Sequence, residues 1–328
     1  MKRREFIAGL GSVAAWPVVA QAQQSPRMRR IGVLLACAES DSEGKAYIAA
    51  FREGLQEFGW TEGRNVRIDY RWGAADTELM QRLAKDLVAL QPDLILSHST
   101  PTTAALLQQS RTIPIIFADV SDPIGSGFAA SLPRPGGNVT GFLTTEGSLA
   151  GKWLEMLKEI VPRIARVALL FNPATAPFDY YLNSVKAAAR SFAVEAIAAP
   201  VHDTSELESV VATQAREPNG GLIVMPDNFM IARRVEVTSL AARYRLPAIY
   251  NLRAFAEVGG LLSYGVNEAD NFRRAATYAD RILQGTNPSE LPIQAPVTFQ
   301  LVVNLKTAKA LGLTVPQSMV LRADEVIE

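Results

Sequence analysis

Polar clusters recur where apolar runs end, and their residue types suit the capture of a small charged molecule. After the run at 94–97 the chain reads Ser97-His98-Ser99-Thr100-Pro101, and after 113–118 it reads Asp119-Val120-Ser121-Asp122-Pro123. Asn172-Pro173-Ala174-Thr175 follows 167–171, and Pro226-Asp227-Asn228 follows 221–225. Tyr250-Asn251 closes 248–250, Tyr264 follows 260–263, and Ser40 follows the first run at 30–36. The hydroxyls of Ser99, Thr100 and Ser121 are donors for an anion. A helix opening at Thr100, taken as N-cap with Pro101 at the first helical position, adds unpaired N–H groups and a partial positive charge. Asp122 and Asp227 can accept from an ammonium group. Tyr250 and Tyr264 offer a stacking face or a phenolic hydrogen bond to a ligand, or else ordinary core packing. A zwitterion such as an amino acid satisfies both kinds of group. The same residues cap helices in any α/β protein, so it is their repetition at several strand ends, in both halves of the chain, that favours binding.

Catalytic patterns are mostly missing. Gly125-Ser126-Gly127-Phe128-Ala129-Ala130 fits G-x-G-x-x-A, with Glu146 about 20 residues on. However, 119–124 intervene where the tight phosphate turn should follow the strand directly. There is no G-x-x-x-x-G-K-[ST], no G-x-S-x-G and no H-E-x-x-H. His98 stands between Ser97 and Ser99, but adjacent strand residues point to opposite faces, so it reads as a polar rim residue rather than a catalytic base. His202 reads as a loop residue after a strand. The expectation is a protein that is not an enzyme and carries no cofactor or metal.

The elements that must position these clusters form one repeated pattern. Short Val/Ile/Leu-rich runs at 30–36, 66–71, 94–97, 113–118, 139–142, 167–171, 221–225, 248–250 and 260–263 alternate with segments of helical period. Those segments lie at 46–58, 77–90, 150–160, 180–192, 232–244 and 271–283. Runs such as Ile31-Gly32-Val33-Leu34-Leu35 are apolar on both faces, which predicts a mostly parallel sheet covered by helices on each side. The fold class is α/β. In open α/β sheets ligands bind beyond the carboxyl ends of the strands, where all these clusters fall. No Gly/Ser-rich or charged linker divides the 328 residues, a length suited to about two domains. Two lobes sharing several chain crossings account for both facts. The crossings are expected after Phe142, near 252–257 and near 288–296. This gives a first lobe of 29–143 plus 258–288 and a second of 146–255 plus 291–320.

Lys plus Arg is 33 and Asp plus Glu is 33, so no basic excess marks a nucleic-acid binder. One cysteine, Cys37, excludes an internal disulfide, and two histidines leave no dense zinc pattern. Cys37 reads as the end of a buried strand. Trp72 either lines the crevice or covers a sheet edge, and Arg233, Arg234, Arg273 and Arg274 read as solvated or paired with acidic side chains. Residues 1–22 have the form of a cleaved export signal: Lys2, Arg3 and Arg4, an apolar run from Phe6 to Ala20, then Ala20-Gln21-Ala22. Arg3-Arg4-Glu5-Phe6-Ile7 resembles the twin-arginine motif, the alternative being a general secretory signal.

Further segments carry a likeness over nearly the whole chain beyond that signal. They are Arg30-Ile31-Gly32-Val33-Leu34, Pro92-Asp93-Leu94-Ile95, Ser121-Asp122-Pro123, Arg134-Pro135-Gly136-Gly137-Asn138-Val139-Thr140-Gly141, Phe171-Asn172-Pro173 and Asn304-Leu305-Lys306-Thr307-Ala308. Together they resemble the ABC-transporter substrate-binding protein family of bacteria. The resemblance implies a type I periplasmic-binding fold: two Rossmann-like lobes with parallel sheets, a three-crossing hinge, and ligand captured by closure. By position it implies a ligand carboxylate at Ser99, Thr100 and Ser121, with Asn172, Asp227, Tyr250 and Tyr264 as the matching positions on the other side and at the hinge. Ser40, Asp122 and Asn251 complete the candidate set. Implied partners are a small-molecule solute, the transmembrane permease subunits of an ABC importer and, transiently, the export machinery. A periplasmic monomer with no nucleic-acid partner is expected. A periplasmic ligand-sensing domain, or an α/β enzyme, is the alternative.

Overall fold

The computed structural model describes residues 28–176, 178–216 and 218–328, so the expected export signal lies outside the described residues. The first sheet is wholly parallel, in the order β2-β1-β3-β4-β5. Its strands are β1 (Arg29–Leu35), β2 (Val66–Trp72), β3 (Leu94–His98), β4 (Ile115–Val120) and β5 (Val139–Leu143). Side chains alternate across it as strand geometry requires. Ile31, Val33 and Leu35 face α1 (Ser42–Glu57), whereas Leu34 and Ala36 face α2 (Thr77–Ala89) and α3 (Thr100–Gln109). Both faces are covered, which is why β1 and β3 read as unbroken apolar runs.

The second sheet follows the order β12-β11-β10-β9-β8-β6-β7. After α4 (Leu149–Ile160) come β6 (Arg166–Phe171), α5 (Phe178–Ser191), β7 (Glu195–Pro200), α6 (Thr204–Ala215) and β8 (Gly220–Val224). The chain continues through α7 (Asn228–Ala232), α8 (Arg234–Arg243), β9 (Ala248–Tyr250), α9 (Arg253–Glu257) and β10 (Leu262–Val266). Val167, Leu169 and Phe171 pack under α4 and α5, while Ala168 and Leu170 pack under α6, α8 and α9.

The chain then returns to the first lobe. α10 (Glu268–Leu283) lies beside α1, with Phe272, Ala275 and Ala276 in one core with Tyr47, Phe51 and Leu55. The two helices approach closely, since a Cβ on Gly54 would stand 2.8 Å from the Arg273 carbonyl oxygen. Finally β11 (Phe299–Asn304), α11 (Leu305–Leu311), α12 (Gln317–Arg322) and β12 (Glu325–Ile327) complete the second lobe, β11 running antiparallel to β10.

Three crossings join the lobes: 144–148, Asn267, and the segment between Leu291 and β11. The second does not lie at 252–257, because α9 stays inside the second lobe. β10 belongs to the second sheet, bonded to β9 and β11, so the assignment of 258–288 to the first lobe holds only from Glu268 onward. An apolar strand carries no label for the sheet it joins. Gln294, in the third crossing, donates its N–H to the Gly141 carbonyl and accepts from the Leu143 N–H, both at 2.9 Å. Gly141 has φ +154°, and a Cβ there would meet the Phe117 carbonyl oxygen at 2.0 Å, so glycine is required for strands β4 and β5 to close up at the hinge.

Candidate functional site

The carboxyl ends of β3 and β4 point toward the second lobe, and both end in strained backbone. Ser99 has φ +80° and Asp119 has φ +63°, in the region that non-glycine residues avoid. The register between β4 and β5 shifts between Ala118 and Val120, a bulge that turns Asp119 inward. Ser99, not Thr100, occupies the N-cap of α3, but its side chain makes no cap bond. Its hydroxyl instead accepts from Asn228 Nδ2 of the second lobe at 2.9 Å. Thr100 Oγ1 accepts the Ser121 N–H at 3.3 Å, tying the two strand ends together.

Next to them is a buried ionisable cluster. His98, Asp119 and Glu268 are 5, 4 and 6% exposed, and each offers an N or O atom within 4.8 Å of the others. Glu268 is the first residue of α10, where the helix N-terminus suits its charge. Its Oε2 accepts the Tyr47 hydroxyl at 2.6 Å and stands 3.9 Å from His98 Nε2. Asp119 Oδ1 accepts from Asn271 Nδ2 at 2.6 Å, and that amide also donates to the Leu143 carbonyl at 3.0 Å. Asp119 Oδ2 and His98 Nδ1 are buried without a partner. Burial, with the Glu268 charge beside it, pushes the Asp119 carboxyl well above the usual carboxylate range, against the pull of the Asn271 hydrogen bond. Burial likewise raises the Tyr47 phenol, the Glu268 charge adding to it. The rings of Tyr47 and Phe272 flank His98 edge-on at 5.3 and 5.5 Å.

From the second lobe, Thr175, Pro226, Asp227, Asn228 and Ile231 close over this cluster, leaving about 20 Å³ between them. Asp227 caps α7 through the N–H groups of Phe229 and Met230, and it also accepts the Asn172 N–H and the Thr175 hydroxyl. A cavity of about 370 Å³ adjoins, lined by Cys37, Ser40, Tyr47, Ile231, Ala232 and the ion pair Asp41–Arg234 among others. That pair crosses between the lobes with Nη1–Oδ2 at 2.9 Å and Nη2–Oδ1 at 3.3 Å. The two lobes are therefore in contact, and the arrangement is closed.

The structure brings together Ser99, Thr100, Ser121 and Asp227, and puts Ser40 on the wall of the adjoining cavity. It places the other candidates elsewhere. Asp122 Oδ1 accepts the Gly125 N–H at 2.8 Å in a turn outside the crevice, and no helix follows that turn as a dinucleotide motif demands. Asn172 spends its amide on Ala174 N–H and the His202 carbonyl. Tyr250 stacks on Phe255 inside the second lobe, Asn251 is buried behind it, and Tyr264 stacks on Phe299. His98 is buried, not on a rim, because Tyr47 and Phe272 arrive from two helices distant in sequence. Cys37 lies beyond the end of β1, half-buried, on the cavity wall. Trp72 packs against the core under α1 and α10. Asp119 and Asn228 sit in clusters visible in the sequence. Glu268, Tyr47 and the Asp41–Arg234 pair carried no signal there beyond their residue types. A larger groove of about 550 Å³ opens at the opposite end of the first sheet, where Arg29 is already paired with Asp93. Among the described residues no helix is long and apolar enough to cross a membrane.

The family model of the ABC transporter substrate binding protein matches residues 30–327. A tyrosine-binding protein of Clostridioides difficile is 25% identical over 291 residues, 88% of this chain and 82% of that one. The crystal structure of an ABC domain in complex with L-Trp from Streptococcus pneumonia superposes with TM-score 0.84 at 26% identity, covering 91% of this chain and 99% of that one. A ligand-free, open substrate binding protein of Clostridium difficile shares the fold at TM-score 0.68 and 24% identity, covering 91% of this chain and 99% of that one. These relatives are solute-binding proteins rather than enzymes, and this chain belongs to the ABC transporter substrate binding protein family.

Proposed function

We propose that this protein is an extracytoplasmic receptor of an ABC importer, exported to the periplasm as a monomer, which captures an amino acid between its lobes and delivers it to a membrane permease. The observation that carries the reading is the pairing of opposite poles in one crevice. The N-terminus of α3, with Ser99, Thr100 and Ser121, suits a carboxylate, and the carboxyl groups of Asp119 and Glu268 stand beside it. The adjoining cavity has room for a side chain. Relatives described as binding L-Trp and tyrosine support an amino acid, and an aromatic one first.

Capture then works by closure. A ligand touching both lobes favours the closed arrangement by its differential affinity for it, and the permease meets the joined lobe surfaces. The test is thermal unfolding of the mature protein with each of the common amino acids. A ligand at about 100 times its dissociation constant stabilises by roughly 2.7 kcal/mol, a shift of several degrees. A saturable shift from one amino-acid class supports the receptor reading. Silence across the set, after refolding to strip carried-over ligand, refutes the amino-acid assignment.

A further inference from the structure

We propose that the His98, Asp119 and Glu268 cluster is the receptor's subsite for a primary ammonium group, and that one proton leaves the cluster for solvent as the ammonium enters. This deepens the amino-acid reading above and rests on it. It also moves the cationic pole from Asp122 and Asp227, where the sequence put it, to residues of the first lobe alone.

Spacing alone admits more than one cation. A tetrahedral ammonium with charge-assisted bonds of about 2.8 Å sets its acceptors about 4.6 Å apart. Zinc at about 2.0–2.1 Å requires donors near 3.3 Å apart. The Nε2–Oε2 separation of His98 and Glu268 is 3.9 Å, between the two values, so ammonium is favoured by the open hydrogen-bonding capacity and the charge of the cluster. Asp119 Oδ2 and His98 Nδ1 are buried and unpartnered, so the cluster holds hydrogen-bonding capacity that nothing in the protein uses.

Charge points the same way. Two carboxyl groups meet in a buried crevice, and the guanidinium beside it, Arg234, is spent on Asp41. From α1, Glu43 adds a further acidic group, its carboxyl raised by burial and by the Glu268 charge, while Tyr47 stays protonated as a donor. After β1, burial pushes the Cys37 thiol up to about 12, leaving it neutral. From the second lobe, Asp227 faces the crevice with its oxygens already bonded, and burial raises its carboxyl also. Neighbouring buried carboxyl groups oppose each other's ionisation, and the raised Asp119 carboxyl is the one that holds a proton in the empty cluster. On binding, the Asp119 carboxylic acid gives its proton to buffer, and the resulting carboxylate accepts from the ligand's ammonium, which keeps its own three hydrogens.

Calorimetry with L-tryptophan and L-tyrosine, beside indole-3-propionate and 3-(4-hydroxyphenyl)propionate, tests this in buffers of different ionisation enthalpy. The amino acid binds with net release of a proton, and its affinity rises with pH over the range in which Asp119 of the free protein stays protonated, by up to about tenfold per pH unit. The analogue lacking the amine binds about 100-fold more weakly or worse. Asp119→Asn and Glu268→Gln, both isosteric and checked for folding by circular dichroism, lose proton release and most of the affinity. Equal binding of amino acid and deaminated analogue, or no proton release, overturns the subsite while leaving the receptor reading intact. Zinc chloride binding that Asp119→Asn removes overturns it in favour of a metal. Failure of every amino acid to bind overturns both readings.

Discussion

The ion pair between Asp41 and Arg234 sets a measurable part of the closing equilibrium. Arg234 opens α8 of the second lobe, and Asp41 caps α1 of the first, its Oδ1 accepting the Glu43 N–H at 3.0 Å. The side chains are 18 and 11% exposed and bonded in a fork at 2.9 and 3.3 Å. Opening the lobes separates them into water, so the pair stabilises the closed form only. Charge-assisted, partly buried bonds of this kind contribute about 1.5–3 kcal/mol, which is a factor of about 10 to 100 in closing. Arg234→Met removes the cation and leaves the α1 cap in place. L-Tryptophan, or whichever amino acid binds, should then dissociate about 10- to 100-fold faster by stopped-flow fluorescence, with an association rate changed far less. Small-angle scattering of the variant without ligand should report a larger radius of gyration. Asp41→Asn keeps the cap, since Asn serves nearly as well there, and in the double variant its effect should not add to that of Arg234→Met. A dissociation rate within twofold of the parent protein refutes the latch.

Asp119→Asn should stabilise the fold as it weakens binding. The Asp119 carboxyl is raised in the folded protein, so the folded state holds a proton that the unfolded chain releases above about pH 4. Parent stability therefore declines as pH rises from there, whereas Asn does not titrate. The variant's advantage should be near zero at pH 4 and grow with pH for as long as the folded parent keeps Asp119 protonated, in thermal unfolding, and a lower melting temperature at pH 8 would contradict it. Asp227→Ala should cost about 2–4 kcal/mol, because Asn172, Thr175 and the first turn of α7 all lose their acceptor. Unchanged urea unfolding would show the carboxylate to be dispensable. Cys37, with its thiol near 12 and on the cavity wall, should react slowly with iodoacetamide at pH 7, more slowly with ligand and faster in Arg234→Met. Equal rates in all three would place it outside the moving cleft.

The alternation of apolar runs and amphipathic segments was enough to read two lobes of α/β type, because burial on both faces of a parallel sheet leaves that pattern in any sequence. Lobe membership was harder. β10 and α10 are adjacent in the chain but lie in different lobes, and only hydrogen bonding to β9 and β11 tells them apart. That Ser99, Thr100 and Ser121 would meet at one place was legible, since they follow strands directly. Glu268 was not, because it meets Asp119 only after the chain has passed through the whole second lobe and back. Tyr250 and Tyr264 sit at strand ends like the crevice residues, but stacking on Phe255 and Phe299 draws them into the second lobe. His98 looked like a surface residue because its aromatic cover comes from Tyr47 and Phe272.

Three alanines whose side chains lie outside the core, Ala38, Ala74 and Ala232, line the 370 Å³ cavity beside the ionisable cluster. None carries a polar side chain, so enlarging any one of them subtracts volume from the chamber while leaving every charged group where it is. On the proposed reading, the size of solute accepted is thus separable from the charge that holds it. A larger residue in that wall should trim the menu toward smaller solutes, and re-aiming the protein at a new nutrient becomes a problem of millilitres per mole rather than of electrostatics.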